Sequence, residues 1–499
     1  MVAVSAVAGH RTESEAPRIQ HASLATPVDQ HIPGTTPAEM AVGISELLYE
    51  SAPVVVVAAA NDAPAQALAI RAAERLHGPA LLDGPGTIAE IERLGSRRVV
   101  IIGNAQLARI DKTKTTRLPA QETDVDAGLD KLLAATPTGW PTGWPTFAAA
   151  GWPTFAAAGR ATFMLATRSL ETDAVAVTNA TQVGAIVVEI PTGDPRTAPE
   201  AAAALREHKD LPVVALGDGF TPDFDYTRAV VQNAPELPGG GHILFPNRQL
   251  VALYGYPGTD ALGVLGEQGT QASIKRAKKL AKRYQTFTKM PVVPTFEIIA
   301  TVAAAEAGKD KDYSREASLA KLKPWVDAAG KAGVYVVLDL QPGRSDFLKQ
   351  AKRYESLLKQ PHVGLALDPE WRLKKKQKHL RQTGSVKIVE VNRVAAWLAD
   401  LTRKNTLPQK LLVLHQFQLQ MINGRSKLDM SHPELSMVIH FDGQGTRPEK
   451  RATWKALHGG APKGVFWGWK NFYDEDKPML TIKKTVQQVR PTPQFVSYQ

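Results

Sequence analysis

From Pro53 onward the chain alternates two patterns of apolar and polar residues. PVVVVAAA is an unbroken apolar run, the mark of a strand buried on both faces. APAQALAIRAAERLHG carries its apolar residues at helical spacing and stops at Gly78, and PALLDG, TIAEIERLG and RRVVIIGN then read as strand, helix and strand. The same order returns in ATFMLATRS, ETDAVAVTNATQVG, AIVVEIPTG, PEAAAALREH and LPVVALGDG. Strands alternating with helices predict parallel, doubly wound sheets. Two such units fill roughly Glu46 to Gly240 and share marks such as Gly103-Asn104 against Gly217-Asp218, an internal repeat of about one hundred residues.

Past His242 the alternation continues without that repeat. Strands are predicted at QLVALYGYPG, VVPTFEIIA, AGVYVVLDLQPG, HVGLALDPEW, KLLVLHQF, LSMVIHFDG, KGVFWGWKNF and QFVSYQ. Eight strands, seven of them followed by enough chain for a crossover, fit a (β/α)8-like barrel. The expected class is therefore α/β, two tandem doubly wound α/β repeat units followed by that barrel. The expected division is a disordered tail over 1–45, a first repeat over 46–135, a linker over 136–160, a second repeat over 161–240 and the barrel over 241–499. Pro238-Gly239-Gly240-Gly241-His242 reads as a hinge rather than a phosphate loop, because no Lys-Ser/Thr follows.

The linker is a low-complexity tract. GWPTFAAA occupies Gly143 to Ala150 and again Gly151 to Ala158, and a truncated GWPT precedes them at Gly139 to Thr142. It reads as a tandem duplication that a surface connection tolerates, since lengthening a loop adds closure entropy only slowly. A tryptophan-rich binding ladder is the sharper alternative.

Composition narrows the picture. The absence of cysteine removes disulfides, thiolate metal sites and cysteine nucleophiles together, and no apolar run is long enough to span a bilayer. The start, MVAVSAVAGHRTESE, ends a short apolar run in Ala6-Val7-Ala8 like the remnant of a secretory signal, so an extracellular or surface location is expected. The net charge of +11 is unevenly placed: residues 1–240 carry 18 basic and 27 acidic side chains, residues 241–499 carry 42 and 22. The basic half should attract anionic polymers. The expected partner is an anionic cell-wall polymer or polysaccharide rather than nucleic acid. The basic clusters KRAKKLAKRY and RLKKKQKHLR also read as solvated helix faces.

In a barrel, chemistry belongs where strands end at the C-terminal rim. Polar residues gather there: Asp339 with Gln341 on strand three, Asp368-Pro369-Glu370-Trp371 on strand four, His415-Gln416 on strand five, His440 and Asp442 on strand six, and Trp467, Trp469, Lys470 and Asn471 on strand seven, with Glu297 inside strand two. Pro369 cannot donate to a ladder, so pairing should stop there and leave two acids close enough to perturb each other. Glycoside hydrolysis needs one carboxyl held protonated and a second as base or nucleophile. Glu370 is the expected acid, with Asp368, Asp339 or Asp442 as partner. Trp371, Trp467 and Trp469 offer flat faces for sugar rings. Glu297, His415, Gln416, His440, Lys470 and Asn471 are further candidate substrate contacts, and no metal or cofactor is expected.

Three resemblances bear on these residues. VVVVAAANDAPAQALAIRAAERLHGPALLDG followed by an I-x-x-L-G-x-x-R-V-V-I-I-G-N run resembles the cell wall-binding repeat (type 2) family, which implies tandem α/β units holding a protein to wall polymers. The family's Asp-Ala-Leu positions stand here as Asp62-Ala63-Pro64 and Asp173-Ala174-Val175. The second half is similar in layout to the barrels of glycoside hydrolases with D-x-E after strand four, though strand seven offers Trp469, Lys470 and Asn471 where a second Glu is common. LDLQPGRSDF, ALDPEWR, LLVLHQF, VIHFDGQG and WGWKNFYDED also resemble secreted actinobacterial proteins that carry no established activity. Three readings stay open: a secreted or surface carbohydrate-active hydrolase acting on wall or extracellular polysaccharide, a non-catalytic wall-binding or adhesion protein, and a metal-dependent phosphodiesterase-type hydrolase using His415, His440, Asp339, Asp368 and Asp442.

Overall fold

A computed structural model describes residues 29–134, 163–220 and 222–499. The chain forms two compact units that divide between Phe224 and Asp225. Ala6 to Ala8 and the GWPTFAAA tract lie outside the described residues.

The first unit is built on strands β1 (Gln30–Ile32), β2 (Val54–Ala58), β3 (Ala80–Leu82), β4 (Arg98–Ile102), β5 (Thr115–Leu118), β6 (Phe163–Thr167), β7 (Ala185–Glu189) and β8 (Val213–Leu216). They make two four-stranded sheets, ordered β3-β2-β4-β5 and β1-β8-β6-β7, and every pairing is parallel. All five residues of β2 and of β6 are buried, as strands covered on both faces must be. The helix Ala63–Leu76 starts where the Asp62 side chain accepts from the Ala65 amide and ends as His77 turns left-handed. One apolar core runs through both sheets, and Asn179 crosses between them, its side-chain amide exchanging bonds with the Ala80 backbone at 2.9 and 2.8 Å.

The expected tail over 1–45 is a correction, because residues 29–45 are ordered. Gln30 to Ile32 pair with Val214 to Leu216, and Pro37–Leu48 is a helix. Its start is a capping box in which the Thr36 hydroxyl accepts from the Glu39 amide while the Glu39 carboxylate accepts from the Thr36 amide. Thr36-Pro37-Ala38-Glu39 carries that signal in plain sequence.

The second unit is a closed barrel of eight parallel strands: β9 (Gln249–Gly255), β10 (Val292–Ala303), β12 (Tyr335–Leu340), β13 (Val363–Leu367), β15 (Lys410–Gln416), β17 (Leu435–Phe441), β18 (Phe466–Asn471) and β19 (Phe495–Tyr498). Each falls within a predicted strand except β10, which runs three residues past the predicted VVPTFEIIA, and β19 closes the ring by pairing Phe495 to Tyr498 with Leu250 to Leu253. Three short strands stand outside it: β11 (Ser314–Glu316) folds back antiparallel on β10, and β14 (Val386–Lys387) pairs with β16 (Ile422–Asn423). α-Helices cover every crossover except that from β15 to β17, which holds β16 and the 3-10 turns Leu419–Met421 and Arg425–Lys427.

Strand alternation splits the barrel into two layers. Leu250, Ala252, Val293, Val337, Ala366, Leu411, Val413, Val438 and Phe495 form an apolar cluster inside, and Leu237, Leu244 and Phe245 join it. The Gly239–Gly241 run, expected as a hinge, therefore lies within this unit, and all three glycines hold positive φ, between 65° and 89°, which side chains strain to adopt. Of the two basic clusters, KRAKKLAKRY is the solvated face of helix Thr270–Gln285, whereas RLKKKQKHLR is corrected from helix to loop. That loop follows Trp371 directly and leaves Lys374, Lys375, Lys376, Lys378 and Arg381 exposed.

Candidate active site

Above the apolar layer, the next inward positions of the barrel are polar. Tyr254, Glu297, Asp339, His415, His440, Lys470 and Ser497 come from seven different strands, and all are buried. His415 sits opposite His440 in the β15–β17 register, and His440 opposite Gly468 in the next. Gly468 is required there, since a Cβ would stand 2.5 Å from the His440 ring.

His415 is the hub. Its Nδ1 lies 2.8 Å from Asp442 Oδ2, and its Nε2 lies 3.0 Å from Glu297 Oε1 and 3.7 Å from Asp339 Oδ1. Lys470 Nζ reaches Asp442 Oδ1 at 3.2 Å and sits 3.5 Å from the centroid of the Tyr254 ring. The Tyr254 hydroxyl donates to Asp339 Oδ2 at 3.1 Å and accepts from Gln341 at 3.2 Å. His440 stands 3.3 Å from His415, Nδ1 to Nδ1, and its Nε2 meets the Ser497 hydroxyl at 3.2 Å.

Five carboxyls (Glu297, Asp339, Asp368, Glu370 and Asp442) share this space with two potential cations, so they cannot all ionise. Burial works against charge on His415, yet Asp442 and Glu297 outweigh it and hold the imidazole protonated well above its ordinary range. Lys470 is likewise held charged despite its burial, by Asp442 and Glu297. Burial would raise Glu297 and Asp442 too, but the positive charges of His415 and Lys470 keep both ionised below the usual range. The other three acids move the opposite way. Burial pushes Asp339 up to about 7, drives Asp368 well above its usual range with help from Glu370, and pushes Glu370 up to about 7 with help from Asp442. Burial drops His440 to about 3, so that ring is neutral. Two cations thus balance two carboxylates; Asp368 stays protonated beside them, and Asp339 and Glu370 hold their protons up to about 7.

A cavity of about 490 Å³ opens over this cluster. Of the charged candidates, Glu370, Asp442 and Lys470 line it, beside Tyr254, Gln341 and Trp371. Glu297, Asp339, Asp368, His415 and His440 are not on its wall; from beneath it, the His415 cation acts on both Glu370 and Asp442. β13 ends at Leu367 and a 3-10 turn over Pro369–Trp371 follows, which lifts Glu370 to the mouth while Asp368 stays 1% exposed. One oxygen of Asp368 has no hydrogen-bond partner, and neither has Glu297 Oε2.

Four predicted contacts fall elsewhere. Trp467 and Trp469 point outward from β18 into the layer under the helices, where Trp467 stacks on His458 at 3.7 Å and Trp469 packs edge-on against Trp454. Asn471 shares that outward parity and accepts from Trp469 Nε1 at 2.9 Å. Gln416 is one residue past His415 and also faces out; it accepts from Arg425 at 2.7 Å and donates to the carbonyls of Gln418 and Leu419. A strand reverses its face at each residue, so neighbours in sequence cannot both reach the barrel interior. By the same rule Tyr254 and Ser497, unselected in the sequence, belong to the site because they occupy the inward position near the ends of β9 and β19. Gln341, noted beside Asp339 but given no role, reaches the cavity two residues further along the same face.

Ligand atoms of Glu297, His415 and His440 lie within 4.8 Å of one another. Both His415 nitrogens already face carboxylates, and all three residues are buried away from the cavity wall. That is the geometry of an imidazolium between two anions, and the donor set does not fit an open catalytic metal centre.

Fold and side chains together define a parallel eight-stranded barrel with an acid-rich mouth, an architecture that many unrelated enzymes share. No family model matches the chain, and no curated protein sequence matches it. Among solved structures it is similar to Cwp6 from Clostridium difficile, at 14% identity and a TM-score of 0.31, over 67% of this chain and 66% of that one. The likeness spans just under two thirds of that protein's length and carries no argument about fold or role.

Proposed function

We propose that the barrel is a carbohydrate-active hydrolase acting on an anionic wall or extracellular polysaccharide, with Glu370 as general acid and Asp442 as base or nucleophile. One observation carries this reading: two of the carboxyls that line the cavity, Glu370 and Asp442, are held in opposite protonation states. Glu370 keeps its proton up to about 7, while His415 and Lys470 keep Asp442 ionised. Paired acids with separated titrations are what glycosidic cleavage requires, one to protonate the leaving oxygen and one to act on the anomeric carbon or its attacking water. Asp339 and Asp368, expected as alternative partners of Glu370, lie buried beneath the cavity wall rather than on it. Trp371 is the one predicted tryptophan that lines the cavity, beside Tyr254, Phe417, Phe441 and Phe472, and the exposed lysines that follow it favour an anionic polymer over a neutral one. The first unit, read as two wall-binding α/β repeats, would hold the chain at a cell surface near that polymer.

The test is release of reducing ends from sacculi carrying their wall polymers, from uronate-containing polysaccharides, and from chitin and α- and β-glucans. The expected result is release from an anionic preparation, lost in Glu370→Gln and Asp442→Asn while the fold is kept. Retention on sacculi with every polymer left intact would replace hydrolysis by passive attachment.

A further inference from the structure

The hairpin between β10 and β11 carries a second group of acids, outside the cavity. Its distal half reads Asp310-Lys311-Asp312-Tyr313-Ser314-Arg315-Glu316, with carboxylates at alternate positions except where Ser314 stands. β11 returns along β10 with Ser314 opposite Ala303 and Glu316 opposite Thr301, and the chain before it turns through left-handed Lys311 (φ 61°) and Tyr313 (φ 63°). The result is convergent: carboxylate oxygens of Asp310, Asp312 and Glu316 all lie within 4.8 Å of one another.

Three carboxylates at that spacing repel unless a cation or a shared proton intervenes. Among the described residues no ammonium or guanidinium ion-pairs with any of them; Arg315, the nearest in sequence, pairs with Glu306 instead. Asp312 is the decisive member. It is 6% exposed, its Oδ1 accepts from the Ser314 amide at 2.9 Å, and its Oδ2 is sealed from solvent with no hydrogen-bond partner. A buried carboxylate oxygen without a hydrogen-bond partner, in a group of three converging acids, points to a missing positive ligand.

We propose that Asp310, Asp312 and Glu316 bind a hard divalent cation of the calcium class. The donors are all oxygen, which excludes a preference for soft metals; Asp310 and Asp312 come from an irregular loop and Glu316 from β11, an arrangement that suits the variable coordination of calcium better than the strict octahedron of magnesium. The location gives the ion a consequence. Tyr313 lies under the Arg344 guanidinium at 4.3 Å, its carbonyl contacts His379 Nε2 at 2.9 Å, and the His379 ring packs on Trp371 at 5.4 Å. A cation on the hairpin therefore braces one wall of the cavity without entering it.

The experiment uses the full chain, stripped with EDTA and dialysed, with terbium as the probe and Tyr313 as its sensitiser. Terbium emission excited through the aromatic residues should rise and saturate, and calcium should compete it away with a dissociation constant on the order of 10⁻⁴ M, well ahead of magnesium. Asp312→Asn and the more exposed Asp310→Asn should each weaken binding at least tenfold while metal-free melting temperature and far-UV circular dichroism stay as in the parent. Absence of sensitised emission, or unaltered affinity in both variants, would overturn the assignment. So would loss of binding in Glu297→Gln alone, which would move the ion into the barrel.

Discussion

Lys470→Met removes the one ammonium that lines the cavity, and its effect can be worked from the geometry. At 3.2 Å from Asp442, a unit charge pair is worth about 5 kcal/mol at an effective dielectric constant of about 20. Both partners are buried, with side-chain exposures of 2% and 8%, and taking one partner from such a pair costs roughly 3–5 kcal/mol because the other charge is left behind. His415 still faces Asp442, so the lower end, about 3 kcal/mol, is expected at pH 7. Urea unfolding followed by tryptophan fluorescence measures it selectively: six of the nine tryptophans belong to the second unit and the other three to the GWPT tract. With a slope of about 3 kcal/mol per molar, the midpoint should fall by about 1 M. In the background of Asp442→Asn the same substitution should cost markedly less, giving a coupling of at least about 1 kcal/mol. The pH profile supplies the sign. Asp442 is depressed in the folded state, so its contribution is present above its unfolded value and lost as pH falls through the folded one; without Lys470 that loss should begin at higher pH. A stability change below about 0.5 kcal/mol with no coupling would mean that water screens the pair, and the separation of Glu370 from Asp442 would lose its cause.

Hydrolytic activity should decline as pH rises through about 7, where Glu370 gives up the proton it must donate, and initial rates across pH 5 to 9 would show this limb. Stability should move with it, because Asp339 and Glu370 are both raised on folding: their contribution is full below the unfolded carboxyl range and is lost as pH climbs through about 7, which melting temperatures at pH 4 and 8 would register. Trp469→Ala should cost about 3–5 kcal/mol in unfolding experiments, as for any large aromatic taken from a core, while Trp371→Ala should leave stability within about 1 kcal/mol and weaken polysaccharide retention instead. Gly468→Ala should destabilise by about 1–3 kcal/mol, since the new methyl group meets the His440 ring and must push it from Ser497.

Much of the barrel was legible because parallel strands covered on both faces are written as near-continuous apolar runs, and all eight stand out in that way. The N-terminal segment was misread for the opposite reason: β1 is only three residues long, Gln30 to Ile32, and its partner Val214 to Leu216 is far along the chain, so no local pattern announces the pairing. The Thr36 capping box was readable and outweighed by the surrounding Thr and Pro content. The basic cluster after Trp371 shows the same limit, since a run of lysines looks alike on a helix face and in a loop.

The site divides along a different line. That acids cluster at strand ends follows from their order in the chain, and Asp339, Asp368, Glu370 and Asp442 could be named from it. Which of them meets solvent could not, because that depends on where a strand stops and how the next turn lifts its side chain: Pro369 ends β13 and carries Glu370 to the cavity wall while leaving Asp368 below. Parity was available but unused. In Trp467-Gly468-Trp469-Lys470-Asn471 the glycine and lysine share one face and the tryptophans and asparagine the other, so choosing Lys470 for the interior already assigns both tryptophans to the helix layer. The charge balance is the least legible feature of all. His415 becomes a cation only because Asp442, from the end of β17, and Glu297, from β10, converge on its two nitrogens, and separations of 27 and 118 residues in the chain give no warning of that. The protonation state of Glu370 is set in turn by burial first and then by groups on or beside β17, β18, β15 and β12. The reactivity proposed for one carboxyl is thus a property of the closed ring of strands, and opening that ring at any of those four would be expected to silence it before it unfolded the rest.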